Sequence, residues 1–358
     1  METSNLLSKI EQEQSLDKES ALALLSDNID TIDLLSTAYK LRKKYYSKTV
    51  RIHILNNSQN GYCPEDCHYC VQAKDSKVPI EKYTKKDEDQ ILKEAENAYK
   101  KGAYRYCMVF SGRGPSKKRV EFLAGAIKRI KENFPIEVCL SPGLISQEDA
   151  KHLADAGLDR YNHNLNTSES NYENICTTHT YKDRLDTLSN VHANDIDICS
   201  GMIVGMGETN ADIVSVALKL KELGVKSIPI NFYLHMEGNK LGKKPMISPE
   251  KCCKIVAMFR CINPTAEIRL AAGREYYLKH LQPMALMAAN SLFMNGYLNI
   301  KGSDIHETIE LIESSGYTVA SDVDLSELKE SAKTKKAIDV LNNSSTLELK
   351  SKDELIPA

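Results

Sequence analysis

Cys63, Cys67 and Cys70 lie within eight residues of one another in the segment NGYCPEDCHYCVQ, directly after the apolar-rich run RIHILNN. Three thiolates so closely spaced in one loop can occupy three corners of an iron–sulfur cube. No fourth cysteine follows at similar spacing. One iron would then lack a protein thiolate and stay open to a small molecule, as catalytic metals do. A zinc knot is the competing reading, with His68 as its fourth ligand. The softness of thiolate ligands favours the cluster.

A second set is spread along the chain. Cys107, Cys139 and Cys199 each fall in the middle of a β-rich run: YRYCMVF, IEVCLSP and IDICSGM. One buried strand cysteine is ordinarily a small core residue. Three on separate strands of a closed barrel could meet at its axis, because side chains alternate inward and outward. Arg269, in EIRLAAG, sits on a further strand candidate. A buried arginine is rare without a negative partner, and a thiolate-bound sulfide cluster is negative. Cys176, Cys252, Cys253 and Cys261 read as structural thiols.

The elements that would carry these residues alternate. Strand candidates cover 51–55, 104–110, 136–140, 160–165, 196–204, 227–233, 267–271 and 291–294, with helical patterns between most of them, such as 119–133, 147–156, 181–193, 212–223 and 249–262. Repeated strand–helix units imply parallel strands, and eight fit an α/β fold of the (β/α)8 TIM-barrel type. An open doubly wound sheet is less favoured, since no Gly-rich dinucleotide fingerprint follows the first strand. The expected organisation is an N-terminal helical segment over 1–48, a barrel over 49–320 and a polar C-terminal tail over 321–358. That tail is either a surface helix with a loose end or disordered.

Composition narrows the class. The 358 residues carry 47 Lys and Arg against 49 Asp and Glu, a formal net charge of −2, so nucleic acid is not an expected partner. The polar start, METSNLLSKIEQEQ, is no secretory signal, and no apolar run reaches membrane-spanning length. Ten cysteines without an export signal suggest a reducing, cytoplasmic setting in which thiols serve metal chemistry. Lys352-Asp353-Glu354-Leu355 is not terminal and so is not read as a retention signal.

The cysteine loop resembles that of the radical S-adenosylmethionine (SAM) superfamily. Over roughly residues 10–320 the chain resembles the biotin synthase family, through CPEDCHYC, RYCMVFSGRGP, DRYNHNLNTS, THTYKDR, CSGMIVGMGE, SIPINF and IRLAAGRE, in that order. The resemblance implies a sulfurtransferase that converts dethiobiotin to biotin. Cys63, Cys67 and Cys70 would hold a [4Fe-4S] cluster that binds SAM; Cys107, Cys139, Cys199 and Arg269 would hold a [2Fe-2S] cluster that donates sulfur. A 5′-deoxyadenosyl radical from SAM would abstract hydrogen, once at each of two substrate carbons.

Tyr69 would pack near the adenine of SAM, and His163, Asn164 and Asn166 would lie near SAM. Arg184 would pair with the SAM carboxylate, and the turn Gly205-Met206-Gly207-Glu208 would approach the adenine. Asn162, Asn164 and Asn231 would face the cyclic urea of the substrate, to which an amide offers both donor and acceptor. Two departures stand out. Asn166 replaces a common Asp, and Asn299 with Ile300 replaces two threonines that contact the substrate's carboxylate tail. Family-implied partners are a small flavodoxin or ferredoxin as electron donor, iron–sulfur assembly proteins, and a second copy in a homodimer. The alternatives are a single-cluster radical SAM enzyme acting on another small molecule, for which the strand cysteines have no use, and a metal-binding scaffold that leaves SAM intact.

Overall fold

The computed structural model describes residues 3–330. Its strands are β1 (Thr49–Gln59), β2 (Arg105–Phe110), β3 (Glu137–Ser141), β4 (Arg160–Asn162), β5 (Asp197–Cys199), β6 (Met202–Val204), β7 (Ser227–Phe232), β8 (Glu267–Leu270), β9 (Ser291–Met294) and β10 (Thr318–Ala320). All of their pairings are parallel. Neighbours run from β1 through β5 to β7, β8 and β9, and β9 pairs back onto β1, closing a barrel. β5 and β6 share one position beside β7, so the barrel has eight staves. β10 adds to the first residues of β1 from outside.

Helices follow the strands: α4 (Glu88–Lys100), α5 (Lys117–Asn133), α6 (Gln147–Asp155), α7 (Tyr181–His192), α8 (Asn210–Glu222) and α9 (Pro249–Ile262). Their starts are locally encoded. Asp87 with Gln90, Thr180 with Asp183 and Thr209 with Asp212 form reciprocal capping boxes, each satisfying otherwise orphaned N–H groups. α1 (Thr3–Glu11), α2 (Lys18–Ala23) and α3 (Thr31–Tyr46) precede the barrel and are built into it. α3 packs on α9 and α2 on α8, while Lys251 and Lys254 donate to the carbonyls of Leu25 and Ser26, both at 2.7 Å. This cover explains why Cys252, Cys253 and Cys261 on α9 are core residues. After β8 come α10 (Arg274–Leu278), α11 (Gln282–Ala285) and, beyond β9, α12 (Ile305–Ser314). No helix among the described residues is long and apolar enough to cross a membrane. Of the expected polar tail, residues 331–358 lie outside the described residues.

Three strands depart from the pattern read in sequence. β1 runs to Gln59, through Asn-Asn-Ser residues that favour turns. Their side chains find partners inside: Ser58 donates to Asn56 Oδ1 at 2.8 Å and Gln59 to the Ser111 carbonyl at 2.9 Å. The regular part of the fourth strand ends at Asn162, short of the expected 165. The expected strand over 196–204 breaks at Ser200-Gly201. There the Gly201 N–H donates to the Asn164 side chain at 3.0 Å, and the Leu165 N–H to Ser200 Oγ at 3.2 Å. Gly201 is required for closeness: a Cβ there would lie 1.9 Å from the Pro229 carbonyl oxygen. Gly201→Ala is therefore expected to force backbone movement between staves and cost about 1–3 kcal/mol or more, read as a lower urea midpoint than the parent chain's.

Candidate active site

Alternation along the staves stacks the barrel interior in layers. Pairing sets Arg105 beside Glu137 and His53 at the base, and Leu55, Cys107 and Cys139 side by side two residues further on. Across the barrel Ser227 pairs with Glu267, and Pro229 with Arg269. Above these layers, at the C-terminal ends of the strands, a cavity of about 280 Å³ opens.

Cys63, Cys67 and Cys70 line that cavity, as do Tyr69, Asn162, His163, Asn164, Asn166, Arg184, Asn231 and Asn299. The residues expected near SAM and substrate thus share one wall system, with one exception. Gly205, Gly207 and Glu208 lie outside the lining; both glycines have positive φ, +96° and +106°, and Glu208 folds back to accept the N–H groups of Gly205 and Met206 at 2.6 and 2.7 Å. Met206 of that turn packs in a small apolar cluster with Ile175, Tyr233 and Tyr69.

Asn166 sits at φ +68°, a left-handed conformation that asparagine tolerates better than most residues. Its amide donates to the Tyr69 hydroxyl at 2.6 Å, so the residue that replaces a common Asp holds the loop tyrosine in place. Arg184 donates to the Asn164 carbonyl at 2.7 Å and meets His179 Nε2 at 2.8 Å, and its Nε contacts the Tyr172 hydroxyl. Asn231 bridges backbone on both sides, donating to the Met202 carbonyl and accepting from Ala272 N–H, each at 3.2 Å. Asn299 is engaged reciprocally with Asn60, at 2.8 and 3.0 Å, so both ends of its amide already have a protein partner.

Cys176, read as a structural thiol, is buried in the core and also lies against the cysteine loop. Its sulfur lies 3.8 Å from Cys67 Sγ, 3.2 Å from His179 Nδ1 and 3.4 Å from Asp66 Oδ1. The hydrogen bond between the two sulfurs raises Cys67, with burial adding to it, and lowers Cys176 to about 4. Burial raises Cys70 to about 11. Glu65 and Asp66, between the loop cysteines, were not singled out in sequence. Glu65 accepts from Thr178 Oγ1 and meets His179 Nδ1, both at 2.6 Å, and Asp66 accepts the Thr177 N–H at 2.9 Å. A carboxylate beside a metal-type cysteine was the only available signal, and exposed acids are common in loops.

Beneath the cavity, Cys107, Cys139 and Cys199 converge with Ala271 and Phe293 in one buried cluster. A space of about 20 Å³ borders Cys107, Cys139 and Arg269, room for about one water. Val109, Ser141, Asn162 and Tyr297 line both this space and the larger cavity, so the two sulfur-rich sites share a wall. Arg269 Nη1 is 3.7 Å from Cys199 Sγ, its Nη2 donates to Ser227 Oγ at 2.6 Å and contacts Glu267, and its buried Nε has no partner.

Glu267 is the floor's anion. It accepts from Arg105 at 3.0 Å and from Ser227 Oγ at 2.9 Å, and stands 3.3 Å from His53 Nε2. Burial would raise its carboxyl; the Arg105 guanidinium leads the groups that outweigh burial and hold it well below the ordinary carboxylate range. Burial also drives His53 well below the ordinary imidazole value.

Two family models match the chain: the radical SAM superfamily over residues 59–220 and the biotin and thiamin synthesis associated domain over 229–318. Curated relatives are similar over most of their length. A biotin synthase of Magnetococcus marinus is 49% identical over 304 residues, 85% of this chain and 95% of its own. One from Macrococcus caseolyticus is 44% identical over 91% of this chain and 99% of its own. Among solved structures, the FeFe-hydrogenase maturase HydG from Carboxydothermus hydrogenoformans superposes with a TM-score of 0.77 at 16% identity, covering 89% of this chain and 79% of its own. Methylornithine synthase (PylB) gives 0.77 at 17% identity, covering 88% and 97%. At such identities these likenesses support the barrel fold.

Glu267→Leu is expected to strand the buried Arg269 charge, while Arg105 keeps Glu137 at 2.7 Å, and to cost about 3–5 kcal/mol, measured by denaturant unfolding. The sign with pH is set by its lowered folded pKa. The Glu267 contribution is fully present above the unfolded glutamate value of about 4.3 and is lost as pH falls toward the lower folded value. The parent and Leu variant should therefore converge in stability on acidification.

Proposed function

The chain belongs to the biotin synthase family, and from that premise we propose that it makes biotin by inserting sulfur into dethiobiotin, as a sulfurtransferase of the radical SAM type. The observation that carries the reading is the stacking of two thiol sets on one barrel axis, with Asn162 in the wall of both spaces.

The residues fit the groups this activity needs. Three loop thiols facing a cavity suit a [4Fe-4S] cluster with one iron left open. Three converging buried thiols and an arginine with an unpartnered Nε suit a second, anionic group; we assign Cys107, Cys139, Cys199 and Arg269 to a [2Fe-2S] cluster. When bound, the first group supplies the electron that cleaves SAM and the second supplies the sulfur.

The chain's own part is binding, orientation and exclusion of water. Arg184 presents its guanidinium to the cavity, pinned on Asn164 and Tyr172, where it would pair with the SAM carboxylate. Tyr69, held by Asn166, would pack on the adenine, with His163 and Asn164 beside it. Asn162 and Asn231 would take the cyclic urea of the substrate, placing its carbons between the two thiol layers. With Asn299 paired to Asn60 and Ile300 apolar, the substrate tail would have to compete for the Asn299 amide. Glu267 and Ser227 keep Arg269 turned toward the strand thiols. A small flavodoxin or ferredoxin as electron source, assembly proteins and a homodimer complete the proposal on family grounds.

The test is iron and acid-labile sulfide on anaerobic protein with visible and EPR spectra, followed by SAM, reductant and dethiobiotin. Two cluster signatures with 5′-deoxyadenosine and biotin among the products are expected; SAM cleavage without biotin would move the chain to another radical SAM activity. Cys67→Ala should abolish SAM cleavage, and full cleavage by that variant would refute the ligand assignment. Arg269→Met should retain the [2Fe-2S] absorption, because arginine is a poor ligand; complete loss would show that it does more than tune the group.

A further inference from the structure

Cys67 and Cys176 face each other across two loops that a dense polar seam holds in register. The His68 N–H donates to the Ile175 carbonyl at 2.8 Å, and the His68 ring meets the Asn174 carbonyl at 2.9 Å. The Asp66 carboxylate accepts N–H groups from Thr177 and Thr178 at 2.9 and 3.2 Å. These bonds flank both cysteines and hold their backbones side by side, and the two sulfurs lie 3.8 Å apart. Cys67 opens on the cavity, whereas Cys176 lies buried behind it.

We propose that Cys67 and Cys176 form a reversible disulfide whenever the loop cluster is absent, with a hydroperoxide as the oxidant. It rests on the reading of Cys67 as a cluster ligand. The sulfur of Cys67, reached through the cavity, attacks the peroxide O–O bond. As it attacks, its proton passes to Cys176 across the 3.8 Å sulfur–sulfur contact. One oxygen is transferred to give a sulfenic acid, and the other takes a proton from solvent and leaves as water or an alcohol. The sulfur of Cys176 then displaces the sulfenic oxygen, which leaves as water with the proton Cys176 received. Two thiols lose one electron each, one peroxide gains two, and one S–S bond of about 2.0 Å forms. The bond withholds a ligand from cluster assembly. It also stops Cys67 at a state that thiols reverse, short of the sulfinic acid that they do not.

The test uses the full-length chain, stripped of iron under reducing conditions, exposed to hydrogen peroxide, alkylated and digested without reductant. A peptide pair joined through Cys67 and Cys176, lighter by two hydrogens and separated by dithiothreitol, is expected. Dithiothreitol should then restore [4Fe-4S] uptake on addition of iron and sulfide. Cys176→Val and Cys176→Ser, checked for native circular dichroism, should give no such pair. Their Cys67 should appear as sulfinic acid, and dithiothreitol should no longer restore cluster uptake. Chain loaded with its cluster should resist the cross-link at the same peroxide dose. Linkage of Cys67 to Cys63 or Cys70, or reductant-reversible loss of uptake in both Cys176 variants, would overturn the proposal. A Cys67–Cys176 link in a chain that never takes up iron would uphold the pair chemistry and defeat the cluster reading instead.

Discussion

A single carboxylate buried among cations sets the lower end of the site. Glu267 stands at the base of the barrel with Arg105, Ser227 and His53 around it, and Arg269 reaches down to it from the layer above. A lone ionised carboxylate at that depth would be prohibitively costly, and so would two unpaired guanidinium groups. Glu267 pairs with both, Glu137 takes the other side of Arg105 at 2.7 Å, and this set of contacts fixes Arg269 beside Cys199. The layer of thiols rests on this floor, and the cavity that admits small molecules rests on the layer of thiols.

The same arrangement divides labour along the axis. A buried ion cluster lies at the bottom, beneath the thiols. Soft, nearly apolar sulfur fills the middle, where water has almost no room. Amide groups recur along the upper wall, at Asn162, Asn164, Asn166 and Asn231. Amides carry no net charge and offer both hydrogen-bond directions, so they can grip a polar, uncharged ring without attracting stray ions to the thiols. Arg184 is a fixed cation of that wall, and its three contacts orient it before any ligand arrives. Preorganisation of this kind lowers the cost of ordering on binding.

The loop that carries the first three cysteines is braced on the segment around residues 174–179, not on the barrel strands alone. Asp66 and Glu65 face that segment, and Cys176 and His179 face back. The brace explains a feature that composition leaves obscure, namely why acids sit between metal-type thiols. They tie the loop down through Thr177, Thr178 and His179, and they leave the three sulfurs on the cavity side.

Much of this was legible in the chain itself. The spacing of Cys63, Cys67 and Cys70 is local, and a loop of that length keeps its residues together whatever the rest of the fold does. Strand–helix alternation is also local, written in hydrophobic period and in capping pairs such as Thr209 with Asp212, so the eight-stave barrel could be expected. The convergence of Cys107, Cys139 and Cys199 followed from that expectation, since closure brings inward positions to one axis. Tertiary structure alone decided the rest. Arg105 and Glu267 are 162 positions apart, and Cys67 and Cys176 are 109 apart. No periodicity relates such residues. Their meeting depends on the register between staves and on how two loops dock, and these are set only when the barrel closes and each buried charge or sulfur has taken the neighbour that closure leaves it.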